Sequence, residues 1–257
     1  MAEAIAGPAA GTGSAARPWR PLIFQLVAIV AAALALVVWL RTAELTATEA
    51  ETLNAGALVK LIGEHLLLTL VGTAIVLVIA IPLGVLLTRG RFKKVAGPVL
   101  AVANFGQAAP AVGLIVLIAA APFLPNGFWA AIIALVVYAA LPVLGNTMIG
   151  IRGVDQRLVE AGRGMGMTAP AVLFRVELPL AVPVMLAGVR TALVLLVGTA
   201  ALASFINGGG LGLLITTGVN LYELRVLVTG ALLTALLALL IDWAGRVVEH
   251  VARPKGM

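Results

Sequence analysis

Few side chains in this sequence could do covalent chemistry. There is no cysteine, which excludes disulfides, thiolate metal sites and thiol nucleophiles. The two histidines, His65 and His250, stand far apart, and no His/Asp/Glu group has metal-ligand spacing. No Gly-x-x-x-x-Gly-Lys-Ser/Thr stretch is present to cradle nucleotide phosphates. The polar residues that stand out sit inside apolar runs instead. They are Asn104, Gln107 and Asn146, with Pro110 nearby, and Arg190. Asn207 with Gly208, Gly209, Gly210 and Gly212 forms a second group. No nucleophile–base pair is readable among them. Such residues suit a passage or a gate better than a catalytic centre.

Long apolar elements must position these groups. The chain of 257 residues is 62% hydrophobic and 11% charged. A soluble domain carries about a quarter charged residues, so the excess apolar surface points to the bilayer. A spanning helix needs about 20 mostly apolar residues. Six runs qualify: 22–40, 61–88, 95–121, 128–148, 181–203 and 226–244. The third is interrupted by Asn104, Gln107 and Pro110, and the fifth contains Arg190. Helices are expected because backbone facing lipid must satisfy its own hydrogen bonds, and alternating barrel strands are absent. The expected class is an all-α polytopic membrane protein of about six spans. Residues 1–20 are Ala/Gly/Pro-rich and read as a disordered tail. The first run, within 21–60, is longer than a signal-peptide core and lacks a closing small-x-small site, so it reads as a span.

Basic residues orient the chain, since they favour the cytoplasmic side. Arg17 and Arg20 precede the first run. Arg89, Arg91, Lys93 and Lys94 lie between the second and third. Arg152, Arg157, Arg163 and Arg175 lie between the fourth and fifth, and Arg246, Arg253 and Lys255 close the chain. These are thirteen of the seventeen Lys and Arg residues. The other side holds Arg41, Lys60 and Arg225 with Glu44, Glu49, Glu51 and Glu223. The net charge of +6 therefore reports topology and not nucleic-acid binding. Both termini are expected in the cytoplasm, with residues 251–257 as a short tail.

The cytoplasmic segment 149–180 is longer than most connectors and carries caps and helically spaced apolar positions, so it reads as ordered. Asp155 is placed to cap a short helix reaching about Arg163, and Gly164 and Gly166 can supply the left-handed residue that ends it. Thr168 is placed to cap a second helix, with Pro170 in its first turn and an end before Pro179. Docking surface and solvated connector both remain open on these grounds alone.

The spacing within this segment resembles a known family. Glu160-Ala161-Gly162, three residues, Gly166, nine residues, Val176, one residue and Leu178-Pro179 is similar to the EAA loop of bacterial ABC importer permeases. Gly162 replaces the family's second Ala and Val176 its Ile. The resemblance implies a MetI-like type I permease core over about 61–250. Its coupling loop would seat in an ABC ATPase dimer, with Glu160 and Gly166 central. It also implies a bacterial inner-membrane location among lipid, a second permease subunit (same or paralogous), and an extracytoplasmic solute-binding protein. This chain would bind no cofactor and be no enzyme, ATP and Mg being used by the partner ATPase. Three further segments resemble the osmoprotectant (glycine betaine/carnitine/choline) permeases: Glu64-His65 through Gly72-Thr73, 149–155 leading into 164–168, and 203–212. Methionine and other small-solute permeases share the overall plan.

Within the spans, Asn104, Gln107 and Asn146 either line the translocation path or hydrogen-bond between helices. Thr69 and Thr73 read as bonding their own backbone. Arg190 is expected to reach the interface or to pair with Glu160 or Glu177. His65 reads as a polar tip at the outer boundary, and Asp242-Trp243 as the interfacial end of the last span. Gly208, Gly209 and Gly210 mark irregular backbone, which the resemblance places at an outer gate. Trp129, Tyr138 and Tyr222 are scattered, so no aromatic cage for a quaternary ammonium is legible.

Overall fold

A computed structural model describes residues 19–123 and 127–252. Of the tails expected at 1–20 and 251–257, residues 1–18 and 253–257 lie outside the described residues, while Trp19 and Arg20 begin the first helix and Val251 and Ala252 end the last one. Among the described residues every regular element is helical. Five helices are long and apolar enough to cross a membrane. They are α1 (Trp19–Thr42), α3 (Ala55–Leu87), α6 (Phe128–Arg152), the continuous helical stretch Ala169–Ile206, and α11 (Leu224–Ala252). A short α2 (Ala47–Thr52) links the first two.

The third apolar run is not one helix. It forms α4 (Ala96–Ala108) and α5 (Ala111–Ala120), set at 99°. The cause is local. Pro110 has no N–H and disfavours helical backbone at the residue before it, and Ala109 is extended at φ −62°, ψ 143°. Pro82, Pro142 and Pro183 stay inside continuous helices.

Contacts at the helix ends show that the bent pair nevertheless crosses. The start of α3 meets the glycine segment at 209–211, and Gly127, before α6, faces Asn207. The chain leaving α3 at Arg89 meets Glu177, on the opposite face. The path from Arg89 to Gly127 therefore runs from one face to the other through α4 and α5. Trp19 of α1 packs edge-on against His250 of α11, 4.8 Å between ring centroids. With the bent pair counted as one span the described residues hold six candidate spans, and Trp19 and Ala252 share one face.

α3, α6 and α9 (Leu178–Ala200) form the centre, around Leu68, Leu135 and Leu196. Gly188 of α9 lies so close to α6 that a Cβ there would stand 2.5 Å from Asn146 Cβ and 2.6 Å from the Pro142 carbonyl. Close backbone approach of this kind substitutes for the hydrophobic drive that lipid removes. α1 sits at the periphery against α11, where Trp243 Nε1 donates to the Leu22 carbonyl at 2.9 Å.

Two expectations fail here. The fifth span starts well before residue 181, because the second loop helix does not end before Pro179. α8 (Ala169–Val172) passes through a π-helical turn, Leu173–Glu177, directly into α9. Pro179 lacks the N–H that would close a regular turn, and the Leu178 N–H reaches back to Leu173 instead. Asp242 is also not at a helix end, since α11 continues for ten residues beyond it.

Candidate functional site

The segment between α6 and α9 folds as one packed unit. The Asp155 side chain accepts from the Arg157 N–H at 2.9 Å and starts α7 (Gln156–Gly164). Gly166, at φ +82°, ends it. The Gly166 N–H bonds Arg163 O at 2.9 Å, and the Met167 N–H bonds Gly162 O at 3.1 Å. This crossed pair is a Schellman closure, which a glycine in the left-handed region allows at little cost. Gly164 remains helical. Thr168 caps α8 as its residue type predicts, accepting from the Ala171 N–H at 3.4 Å.

Val154, Val159 and Val172 form a small buried cluster with Met167, Val176 and Leu180 packed on it. Gly162 is buried in the same place. Glu160, Ala161 and Pro179 are exposed, while Leu178 and Val176 are half-buried. Leu158, Met165 and Phe174 are also exposed, Met165 at 72% and Phe174 at 67%. An apolar core within, and apolar side chains with Glu160 outside, give a rigid knob with a surface suited to a protein groove.

This unit is pinned to α3. Arg89, just past the end of α3, places Nη1 3.1 Å from Glu177 Oε1 and also donates from Nη2 to Oε2. Glu177 is buried at 5% exposure. Neither Glu160 nor Glu177 pairs with Arg190. Arg190 donates to Glu249 at 2.9 Å and lies 3.6 Å from Asp242, both on α11. Arg246 and Gln25 complete the group around Asp242.

On the opposite face, two motifs far apart in sequence meet. The Glu64 carboxylate accepts from the Gly210 N–H at 3.0 Å. His65 is fully buried, not an interfacial tip. Its Nε2 donates to Val197 O at 3.0 Å and its Nδ1 accepts from the Leu211 N–H at 3.3 Å, which defines the neutral Nε2–H tautomer. Gly209 and Gly210 have φ of +84° and +86°. A Cβ on Gly209 would stand 2.7 Å from Glu64 Oε2, so the clasp requires glycine for both reasons. Asn207 is left-handed at φ 58°, and Gly208 donates to Ala203 O at 2.8 Å. The contact could have been suspected from sequence only because both motifs belong to the same family resemblance.

The polar residues of the spans remain apart from this clasp. Asn104 is exposed and donates to Leu100 O at 2.8 Å, and Asn146 donates to Pro142 O at 2.9 Å. Both bonds are to the residue's own helix, so neither side chain joins two helices among the described residues. Gln107 is half-buried on α4, and Pro110 stands at the break before α5. Thr69 and Thr73 bond backbone carbonyls of their own helix, at 2.9 and 2.7 Å.

Residues 80–253 match the family described as binding-protein-dependent transport system inner membrane component. The chain belongs to this family. It is 43% identical over 204 residues to the glycine betaine/carnitine/choline transport system permease protein OpuCB of Bacillus subtilis, covering 79% of this chain and 92% of that one. It is 38% identical over 207 residues to the osmoprotectant import permease protein OsmW of Salmonella typhimurium, covering 79% and 95%. A chain of the MetNI methionine ABC transporter, in an inward-facing conformation, superposes with a TM-score of 0.69 at 28% identity, covering 77% and 96%. The fold is thus the MetI-like ABC permease fold, in a multi-pass inner-membrane protein. The chain is the permease subunit of an ABC importer for a small polar solute, distinct from its ATPase partner.

Proposed function

We propose that this subunit forms half of a passage for an osmoprotectant of the glycine betaine, choline or carnitine type. The observation that carries the mechanism is the knob of residues 153–179. It is a capped, glycine-ended helix on its own apolar core, with Glu160, Leu158, Met165 and Phe174 outward. Glu160, Ala161, Gly162, Gly166, Val176, Leu178 and Pro179 make the knob that seats in the ATPase. ATP binding then moves the spans as packed bodies. The substrate class is supported by relatives at 38 to 43% identity that are named for these solutes.

The charge pattern supports a cytoplasmic knob and cytoplasmic termini. Asn207, Gly208, Gly209 and Gly210, clasped by Glu64 and His65, form the outer gate, where an extracytoplasmic binding protein delivers solute. Asn104, Gln107 and Asn146 serve the path near the Pro110 bend. A second permease subunit supplies the other half. Among the described residues the aromatic contacts are Trp19–His250 and Phe128–Trp129, and no cage for a quaternary ammonium forms. In this reading selectivity rests with the binding protein, and this chain supplies a conduit.

The test is uptake in vesicles holding the permease, its ATPase and the binding protein. Betaine, choline, carnitine and methionine are compared. We expect ATP-dependent uptake of a quaternary ammonium solute, abolished by Glu160→Lys or Gly166→Trp with insertion intact. Import of methionine alone would refute the substrate class, and ion-driven uptake without ATP would refute the mechanism.

A further inference from the structure

The knob touches more than the helix it leads into. Among the described residues, Arg89–Glu177 is the one ion pair that ties segment 153–177 to another span. It is two-pronged, with each guanidinium Nη donating to one carboxylate oxygen. Such a fork fixes orientation as well as distance. Glu177 is held in place by the π turn, which adds one residue to the helix and so turns the following side chains by about 100° relative to α8. Directly above the pair, Ile81 and Val85 of α3 pack with Leu178, Ala181 and Met185 on a shared apolar layer.

α3 then runs unbroken to the far face, where Glu64 and His65 hold Gly210 and Leu211. From Glu64 to Leu87 the helix spans about 35 Å. One helix thus holds the cytoplasmic knob at one end and the glycine segment at the other. We propose that Arg89 and Glu177 are positioning residues that make α3 follow the knob, so that movement driven by ATP reaches the glycine clasp through α3 as well as through α9. The inference rests on the reading of 153–179 as the ATPase-coupling loop.

The physical case is one of stiffness. The layer that Ile81 and Val85 share with Leu178, Ala181 and Met185 is apolar, and such side chains can slide past one another. A fork onto the buried Glu177 carboxylate cannot slide without leaving that charge unpaired. Glu177 is also continuous with α9, so any rotation of the knob about α9 carries the carboxylate and, with it, the end of α3.

The experiment uses the complete transporter in vesicles, with Arg89→Gln, Glu177→Gln and the exchanged pair R89E/E177R. Membrane insertion and co-purification of the ATPase are measured beside uptake and ATP hydrolysis. Each single substitution is expected to lower uptake per ATP hydrolysed at least tenfold, with insertion and ATPase association unchanged. The exchanged pair is expected to recover at least half of the wild-type ratio. Wild-type coupling in either single variant would overturn the proposal, as would an exchanged pair no better than the singles. Loss of insertion or ATPase binding in the singles would make the pair a folding element and overturn it equally. Gly166→Trp, run in parallel, tests the underlying reading separately. If that variant transports normally, the coupling loop itself is misassigned, whatever the ion pair does.

Discussion

Two glycines four residues apart in the knob should respond to the same substitution with opposite signs. Gly162 is helical and buried, and a Cβ there meets Met167 Sδ at 3.5 Å, Val172 Cγ2 at 3.5 Å and Val176 Cγ2 at 3.7 Å. All three are ordinary van der Waals distances, so Gly162→Ala fits without displacement. It gains about 1 kcal/mol of helix propensity and up to about 0.8 kcal/mol for one buried carbon. Gly166 has open space around its Cβ but sits at φ +82°. Gly166→Ala therefore meets no clash and loses about 1–2 kcal/mol from left-handed backbone alone. Amide hydrogen exchange at Met165 and Met167, whose N–H groups close α7 onto Ala161 and Gly162, reads both effects. One to two kcal/mol corresponds to about 5–30-fold, slower for Gly162→Ala and faster for Gly166→Ala. Faster exchange in Gly162→Ala would refute the packing described around that residue. Unchanged exchange in Gly166→Ala would refute the Schellman closure.

Gly188→Ala forces a Cβ into the backbone of α6 and should cost about 1–3 kcal/mol, seen as a lower unfolding temperature of the detergent-solubilised complex. Arg225 donates to Glu49, which is 2% exposed, at 3.0 Å. Arg225→Ala leaves that carboxylate with the Thr46 N–H alone and, with Arg225 itself partly in solvent, should destabilise by about 1–2 kcal/mol in the same assay; the double variant with Glu49→Gln should recover part of the loss.

Much of this was legible in the sequence, and the rest has identifiable physical reasons for being hidden. The spans show because 20-residue apolar runs have no soluble alternative. The caps at Asp155 and Thr168 and the stop at Gly166 show because they depend on neighbours two or three residues away. The inward face of α3 does not show. Leu68 is buried while Leu67 and Leu70 are 53% and 58% exposed. With lipid on one side and protein on the other, polarity does not tell the three apart, since both surroundings favour leucine. The partners of Arg190, His65 and Glu177 were hidden for another reason. They lie 59, 132 and 88 residues away, and charge alone chooses neither Arg190's carboxylate nor Glu177's arginine, still less the backbone carbonyl that holds His65. Pro110 marks a break in the third run, but the neighbours that α5 packs against after it, α6 and the stretch Ala201–Ile206, are not readable from sequence. The continuity of α8 with α9 was missed because Pro179 reads as a stop, whereas a π turn accommodates it.

That π turn sets an angular phase between the knob and the span that follows. A deletion of one residue within 173–177 would leave a more regular helix, with every later side chain still in its span. The knob, however, would then point about 100° away from its present bearing. Arg89 would face a different side chain, and Phe174 and Glu160 would look toward a different quadrant around the helix axis. Length in this stretch is therefore a directional quantity, and an irregular helix is what keeps the two ends of the polypeptide's lever in register.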